Sequence, residues 1–235
     1  MNEKLAVVTG GTKGIGRAIV EVFAKNNFSI ATCARGEADL IQLKEAMEST
    51  YQTKIHTFPA DLAKREVIDE FLDFVGMIGK EIHVLINNTG VFVPGQIQDE
   101  EEGVLEKLMS TNIYSAYHIT RGLMAKMKET PASHIFNICS TASITPYTSG
   151  ASYCISKFAL YGFSKVLREE LKNDGVRVTS VLPGATLTPS WDGVEIPEGR
   201  IMEAKDIAES IWSAYSLSPQ TVVEDILIRP QLGDL

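Results

Sequence analysis

Basic residues are in deficit, cysteines are few, and no long apolar run occurs in the 235 residues. Lysine and arginine total 22 against 30 aspartates and glutamates, a formal net charge of −8. That balance lacks the basic face that sequence-independent nucleic-acid binding needs, so no nucleic-acid partner is expected. No apolar stretch approaches the roughly 20 residues of a membrane-spanning helix, so no membrane partner is expected either. The opening Met1-Asn2-Glu3-Lys4 leads straight into a strand-like run. It has no apolar signal core, and a cytoplasmic location is the expectation. Cys33, Cys139 and Cys154 are odd in number and set among apolar residues. They read as buried free thiols in a reducing compartment rather than as a disulfide framework. His56, His83, His118 and His134 are scattered, and no Cys/His cluster has ligand spacing. No metal is expected.

What is present is a regular alternation. Short β-rich runs cover Leu5–Thr9, Ser29–Ala34, Lys54–Pro59, His83–Asn87, His134–Cys139, Arg177–Leu182 and Val222–Ile228. Several are continuously apolar, as in a sheet covered on both faces. Helical spacing fills the gaps: Gly14–Lys25, Glu37–Thr50, Lys64–Ile78, Glu101–Lys128, Ser152–Asn173 and Ala204–Leu217. Gly14–Lys25 places Ile15, Ala18, Ile19, Val22 and Phe23 on one stripe. Strand–helix alternation with right-handed crossovers predicts an α/β Rossmann fold: one domain over 1–235, a doubly wound parallel seven-stranded sheet with helices on both faces. The Pro/Gly-rich stretch 186–203 reads as a loop over the active site, not a domain boundary.

The loop Thr9-Gly10-Gly11-Thr12-Lys13-Gly14-Ile15-Gly16 follows the first strand and opens the first helix. In that context glycines turn the chain sharply and admit a pyrophosphate to the helix N-terminus. The second strand ends in Cys33-Ala34-Arg35, where a carboxylate for the NAD ribose would otherwise stand. Arg35 suits a 2′-phosphate and Lys13 adds a second cation, so NADP(H) is the expected cofactor. Glu37 and Asp39 leave the NAD alternative open. After the third strand, Asp61 can accept from an adenine amino group while Leu62 covers the ring. Asn87-Asn88-Thr89-Gly90 follows the fourth strand, where loops approach the cofactor or simply turn.

Tyr153 and Lys157 share one helix face one turn apart. A nearby ammonium favours the phenolate and is expected to lower the phenol's pKa. Tyr153 can then protonate an alkoxide as hydride arrives, or deprotonate an alcohol in reverse. Ser140 would hold the substrate oxygen, and Lys157 can also bond the nicotinamide ribose. A second pair, Tyr161 and Lys165, has the same spacing. It lies about 12 Å further along the helix, away from the cofactor edge, and reads as packing or interface.

These residues, in this order, resemble the short-chain dehydrogenase/reductase family over essentially the whole chain. The glycine loop, Asp61-Leu62, Asn87-Asn88-Thr89-Gly90, Asn112, Ser140, Tyr153 with Lys157, and Pro183-Gly184 with Thr188 carry the resemblance. It implies catalytic roles for Asn112, Ser140, Tyr153 and Lys157, with Asn112 binding a water that links Lys157 to solvent. It implies nucleotide contacts from Gly10, Thr12, Lys13, Gly14, Ile15, Gly16, Arg35, Asp61, Leu62, Asn88, Gly90, Tyr153 and Lys157. Pro183, Gly184, Thr186 and Thr188 would hold the carboxamide. Thr89 and Ser115 depart from the family's usual Ala and Gly. The C-terminal stretches Pro183–Trp191 and Val222–Pro230 are similar to bacterial sepiapterin reductases. With Ser140 and Tyr153, Trp191 would form the substrate side, stacking on a pterin or packing as a lid. Asp192 and Glu195 could meet a pterin's amino edge. The resemblance thus implies an NADPH-dependent carbonyl reductase acting on a small carbonyl or alcohol, with a pterin ketone, a 3-oxoacyl thioester or a hydroxy acid as candidates. A nucleotide-binding regulator without catalysis is the other class. Apolar residues on Glu101–Lys128 and Ser152–Asn173, including Tyr114, Tyr117, Phe158, Leu160, Tyr161 and Phe163, exceed one core stripe. Resemblance implies that these helices pair in a homodimer or homotetramer.

Overall fold

Apolar runs this short, rich in β-branched residues, pair as strands rather than coil as helices. The computed structural model describes residues 4–191, 193, 195–197 and 199–234. Its strands are β1 (Leu5–Thr9), β2 (Ser29–Ala34), β3 (Ile55–Pro59), β4 (Ile82–Asn87), β5 (His134–Ile138), β6 (Arg177–Pro183) and β7 (Asp225–Ile228). Among the described residues they form a seven-stranded sheet in the order β3-β2-β1-β4-β5-β6-β7. Every pairing is parallel. The strand order reverses at β1, which leaves a crevice at the strands' carboxyl ends between β1 and β4.

The helices are α1 (Gly14–Lys25), α2 (Glu37–Thr50), α3 (Arg65–Met77), α4 (Val104–Met109), α5 (Ser115–Glu129), α6 (Ala151–Leu171) and α7 (Ala204–Ser216). Successive strand side chains point to opposite faces. Ala6, Val8, Ile30, Val84 and Ile86 therefore pack with α1, α2 and α7. Leu5, Val7, Ala31 and Leu85 pack with α3, α5 and α6. In the first layer the Phe23 ring meets Phe28 at 5.2 Å and Trp212 at 5.3 Å, edge to face. Burying a side chain of this size contributes about 1.5–3 kcal/mol.

Two expected elements differ. The helix over Glu101–Lys128 is broken: a π turn at Ser110–Tyr114 separates α4 from α5. Hydrophobic spacing alone does not distinguish a local i→i+5 turn from continuous helix. The last strand begins at Asp225, not Val222. All three cysteines are free and buried, and burial pushes the Cys33 and Cys139 thiols up to about 12. Among the described residues no group of three or more His, Cys, Asp or Glu gathers as a metal site. Likewise, no described helix is long and apolar enough to cross a membrane.

Many polar groups inside the sheet are paired, although Asn87 Oδ1, His134 Nδ1 and Arg177 Nε have no partner among the described residues. Asn87 Nδ2 donates to Thr120 Oγ1 at 2.9 Å and to Asn137 Oδ1 at 2.8 Å. Asn137 Nδ2 continues to Ser164 Oγ at 3.0 Å, which also accepts from Ser180 at 3.0 Å. Arg177 closes the end of α7 by donating to the carbonyls of Tyr215 and Leu217 at 3.0 and 3.3 Å. A cation there complements the helix dipole.

His134 is fully buried, 2.7 Å from Thr179 Oγ1 and stacked on Phe136. Burial first, and Arg177 second, hold its imidazole well below the ordinary 6.5. Below that pH the unfolded chain takes a proton that the folded chain refuses, so stability falls as pH falls. One such group contributes a slope of up to about 1.4 kcal/mol per pH unit. His56, His83 and His118 act in the same direction. Urea unfolding between pH 6.5 and 5.5 should therefore lose less stability in His134→Gln than in the wild type. Equal losses would contradict the assignment.

Candidate active site

The carboxyl ends of β1 and β4 are tied by a few hydrogen bonds. Thr9 Oγ1 accepts the backbone N–H of Asn88 and of Thr89, each at 3.0 Å. Asn88 Nδ2 donates back to the carbonyls of Thr9 and Gly10 at 2.8 and 3.0 Å. Asn88 thus shapes the glycine loop with its amide. The loop is so tight that a Cβ on Gly16 would lie 2.2 Å from the Gly10 oxygen. Gly14 opens α1 with φ +52°, and a Cβ there would lie 2.9 Å from Thr188 Cγ2. The Thr188 loop therefore closes over the glycine loop. Thr12 is buried and Ile15 packs on the α1 layer. The α1 N-cap, Lys13, gives no side-chain cap, so the first-turn N–H groups stay available to an anion.

Arg35 is exposed at the end of β2 and forms no hydrogen bond or ion pair among the described residues. Lys13, expected as a second cation, lies with its Nζ 2.9 Å from Asp39 Oδ2. The same contact engages Asp39, one of the two carboxylates considered for a ribose. Glu37 is exposed at the start of α2. Asp61, beyond β3, accepts from the Ala63 N–H at 3.2 Å. Leu62 is buried in the α3-side core.

On α6, Lys157 Nζ donates to the Ile138 carbonyl at 2.8 Å and lies 5.8 Å from the Tyr153 ring centroid. Gly90 sits against this ammonium: its Cβ position is 3.4 Å from both Lys157 Nζ and Asn112 Oδ1. Asn112 lies fully buried in the π turn, a feature frequent at functional sites. Its Oδ1 accepts the Val91 N–H at 2.8 Å, and its Nδ2 donates to the Val91 carbonyl and to Ser156 Oγ. Ser140 Oγ, past β5, accepts from the Ala142 N–H at 3.1 Å.

The expected lowering of the phenol is not what the chain's own groups produce. Burial pushes Tyr153 up to about 12, with the Ser140 side-chain hydrogen bond pulling the other way. Burial also brings Lys157 down to about 8. The ammonium turns to the Ile138 carbonyl, and desolvation outweighs it.

Pro183, the last residue of β6, is buried, and beyond it the Gly184 N–H donates to the Ile228 carbonyl at 2.8 Å. Thr186 Oγ1 donates to the Gly184 carbonyl at 2.9 Å. Asp234 Oδ1 accepts the Ala185 N–H at 3.3 Å, bringing Asp234 onto this loop. Trp191 is half-buried in a 3-10 turn, Pro189–Trp191. Glu195 is exposed, and Asp192 lies outside the described residues. The second pair is used elsewhere: Tyr161 Oη lies 3.4 Å from Asp225 Oδ2, and Lys165 pairs with the same carboxylate.

Sequence reasoning missed Phe92, whose ring meets Tyr153 edge to face at 5.0 Å. It also missed Tyr147, whose phenol is raised by burial and by the neighbouring Tyr153. Proximity to Gly90 and placement between Ser140 and Tyr153 were the available signals. A loop too tight for side chains, an Arg35 without a partner among the described residues and Lys157 behind Gly90 fit a phosphorylated nicotinamide dinucleotide.

Comparison with known proteins agrees. Residues 4–198 match the short chain dehydrogenase family. The sepiapterin reductase of Chlorobaculum tepidum is 33% identical over 242 residues, covering 98% of each chain. An uncharacterized oxidoreductase of Staphylococcus epidermidis is 28% identical, again covering 98% of each. Among solved structures, L-sorbose reductase from Gluconobacter frateurii, complexed with NADPH and L-sorbose, has a TM-score of 0.90 at 23% identity, covering 98% of this chain and 96% of that one. A metagenomic short-chain oxidoreductase in complex with NADP has a TM-score of 0.85 at 27% identity, covering 97% of each chain. A match of this length makes the chain a member of the short chain dehydrogenase family, an oxidoreductase of alcohol and carbonyl groups.

Proposed function

We propose that this protein is an NADPH-dependent carbonyl reductase with Tyr153 as its proton donor. The observation that carries the reading is the half-buried Tyr153 phenol, with the Lys157 ammonium 5.8 Å from its ring and one turn behind, and burial raising that phenol to about 12. Such a phenol is fully protonated at neutral pH, as an acid must be. Even at about 12 it is a far stronger acid than an aliphatic alcohol, so proton transfer to an alkoxide runs downhill. When bound, NADPH supplies the hydride. Ser140 donates a hydrogen bond to the carbonyl oxygen and Tyr153 Oη gives that oxygen its proton. Lys157, held by the Ile138 carbonyl, stabilises the phenolate that remains. Asn112, through a water, would return a proton towards Lys157 and Tyr153.

The nucleotide lies in this reading along Gly10, Thr12, Gly14, Ile15 and Gly16, with adenine near Asp61 and Leu62, and the 2′-phosphate on Arg35. Lys13 joins it by exchanging its Asp39 partner. Asn88 and Gly90 line the middle, and Pro183, Gly184, Thr186 and Thr188 the carboxamide end. The half-buried Trp191 and the C. tepidum relative support a pterin side-chain ketone as the substrate.

Tyr114, Tyr117, Phe158 and Val166 lie 42–55% exposed on or beside α5 and α6. An apolar face of this kind suits a second copy of the chain, as a homodimer or homotetramer. Leu160 is buried instead, and Tyr161 and Phe163 are partly buried against the core, so the face is narrower than the sequence suggests.

NADPH oxidation followed with sepiapterin, an acetoacetyl thioester and L-sorbose should show turnover, with sepiapterin preferred. L-Serine, with NADP⁺, tests the hydroxy-acid alternative. No turnover of any would leave a nucleotide-binding regulator. Losing a charge-assisted phosphate contact costs about 1.5–3 kcal/mol. Arg35→Ala should thus raise the Kd for NADPH roughly tenfold or more while leaving NADH unchanged. Equal wild-type affinity for the two nucleotides would defeat the assignment. Light scattering at micromolar concentration should give a dimeric or tetrameric mass, and a monomeric mass would remove the proposed pairing.

A further inference from the structure

Helix α6 begins without a cap of its own, since its N-cap is Gly150. The capping acceptor comes from 52 residues earlier: Glu100 Oε1 accepts the Ser152 N–H at 3.0 Å. The other carboxylate oxygen accepts the Ser152 hydroxyl. The segment that carries Glu100 is laced to the same helix end. The Gly95 N–H donates to the Ser149 carbonyl at 3.0 Å, and the Ala151 N–H donates to the Gly95 carbonyl at 3.2 Å. A Cβ on Gly95 would lie 2.6 Å from Glu100 Cγ, so the glycine leaves the room that the carboxylate arm occupies.

Ser152 immediately precedes Tyr153. The segment that caps Ser152 also holds the phenol from the side, through Phe92. At its other end Asn112 grips Val91 with both polar atoms of its amide. The first turn of α6 is thus set from outside the helix. A carboxylate on first-turn N–H groups is also the arrangement the helix dipole favours.

We propose that Glu100 is a positioning residue for Tyr153, fixing the first turn of α6 so that the phenol meets the carbonyl oxygen. The inference rests on Tyr153 being the proton donor. Small errors in placing a reacting group are costly, up to about a hundredfold for 1 Å.

The test compares Glu100→Ala, Glu100→Gln and Tyr153→Phe on the carbonyl compound that the wild type reduces fastest. NADPH fluorescence titration counts folded sites, so kcat is expressed per NADPH-binding site. Glu100→Ala should lower that kcat about tenfold or more with little change in the Kd for NADPH. Its solvent deuterium isotope effect should rise, because proton donation becomes slower. Glu100→Gln keeps an acceptor for the Ser152 N–H and should restore kcat to within about threefold of the wild type. A Glu100→Ala enzyme with wild-type kcat and isotope effect, or a Gln variant no better than Ala, overturns the proposal. Should Glu100→Ala not fold, Ser152→Ala removes only the hydroxyl contact. It should lose about threefold in kcat with the same isotope signature, and a wild-type rate there overturns the proposal equally. Full activity in Tyr153→Phe would overturn the functional reading and this inference together. Loss in Tyr153→Phe without loss in Glu100→Ala overturns this inference alone.

Discussion

Beside the buried leucines of α6 runs a row of buried polar residues, and the site depends on how that row is satisfied. Ser152, Ser156 and Ser164 stand at four- and eight-residue intervals on one face, and all three are buried. Each has a partner in a different element: Glu100, Asn112 and Asn137. Lys157, on the adjoining row, bonds the Ile138 carbonyl. A buried donor or acceptor without a partner costs about 1–3 kcal/mol. Sliding α6 by one residue would orphan several of these groups at once. An apolar stripe would tolerate such a slip far better. The polar stripe therefore sets the height of Tyr153 above the sheet edge.

The same burial governs the electrostatics. A phenol near 12 and an ammonium near 8, in one pocket, are each shifted towards the neutral form by loss of water. Two neutral-leaning groups side by side respond strongly to any charge brought among them. Several of the chain's charged groups lie away from this point, whereas the Glu100 carboxylate reaches Ser152, next to Tyr153. Arg35 and the Lys13–Asp39 pair lie at the exposed adenosine end, while Lys165 is engaged by Asp225. Exposed cations at one end and desolvated acid–base groups at the other suit a long dinucleotide, whose phosphates need charge and whose reacting ring needs dryness.

Several parts of this arrangement were legible in the chain. Continuous apolar runs separated by helical stripes led to the parallel sheet, because burial on both faces leaves a local pattern. The tightness at Gly14 and Gly16 was readable because only glycine fits there. Tyr153 was separable from Tyr161 by its place along one helix, and the structure gives Tyr161 to Asp225 instead. The shift of the Tyr153 phenol went the wrong way, because a Tyr–Lys spacing carries the charge effect and not the desolvation. The ion pair of Lys13 with Asp39 was not foreseen, because a loop residue and a helix residue 26 positions apart show no sign of it in sequence. The π turn that presents Asn112 was hidden for a similar reason: its hydrophobic pattern is that of ordinary helix.

The sequence by itself determined the fold class and the family, and it picked out the glycine loop and the candidate acid–base residues, since each rests on local periodicity or on residue types at short spacing. Only the tertiary structure decided the protonation tendencies of Tyr153 and Lys157, the pairing of Lys13 with Asp39, and the capping of α6 by Glu100. The physical reason is shared. Desolvation, ion pairing and capping depend on which distant segments fold against one another, and Ser152 meets its carboxylate across 52 residues of intervening chain.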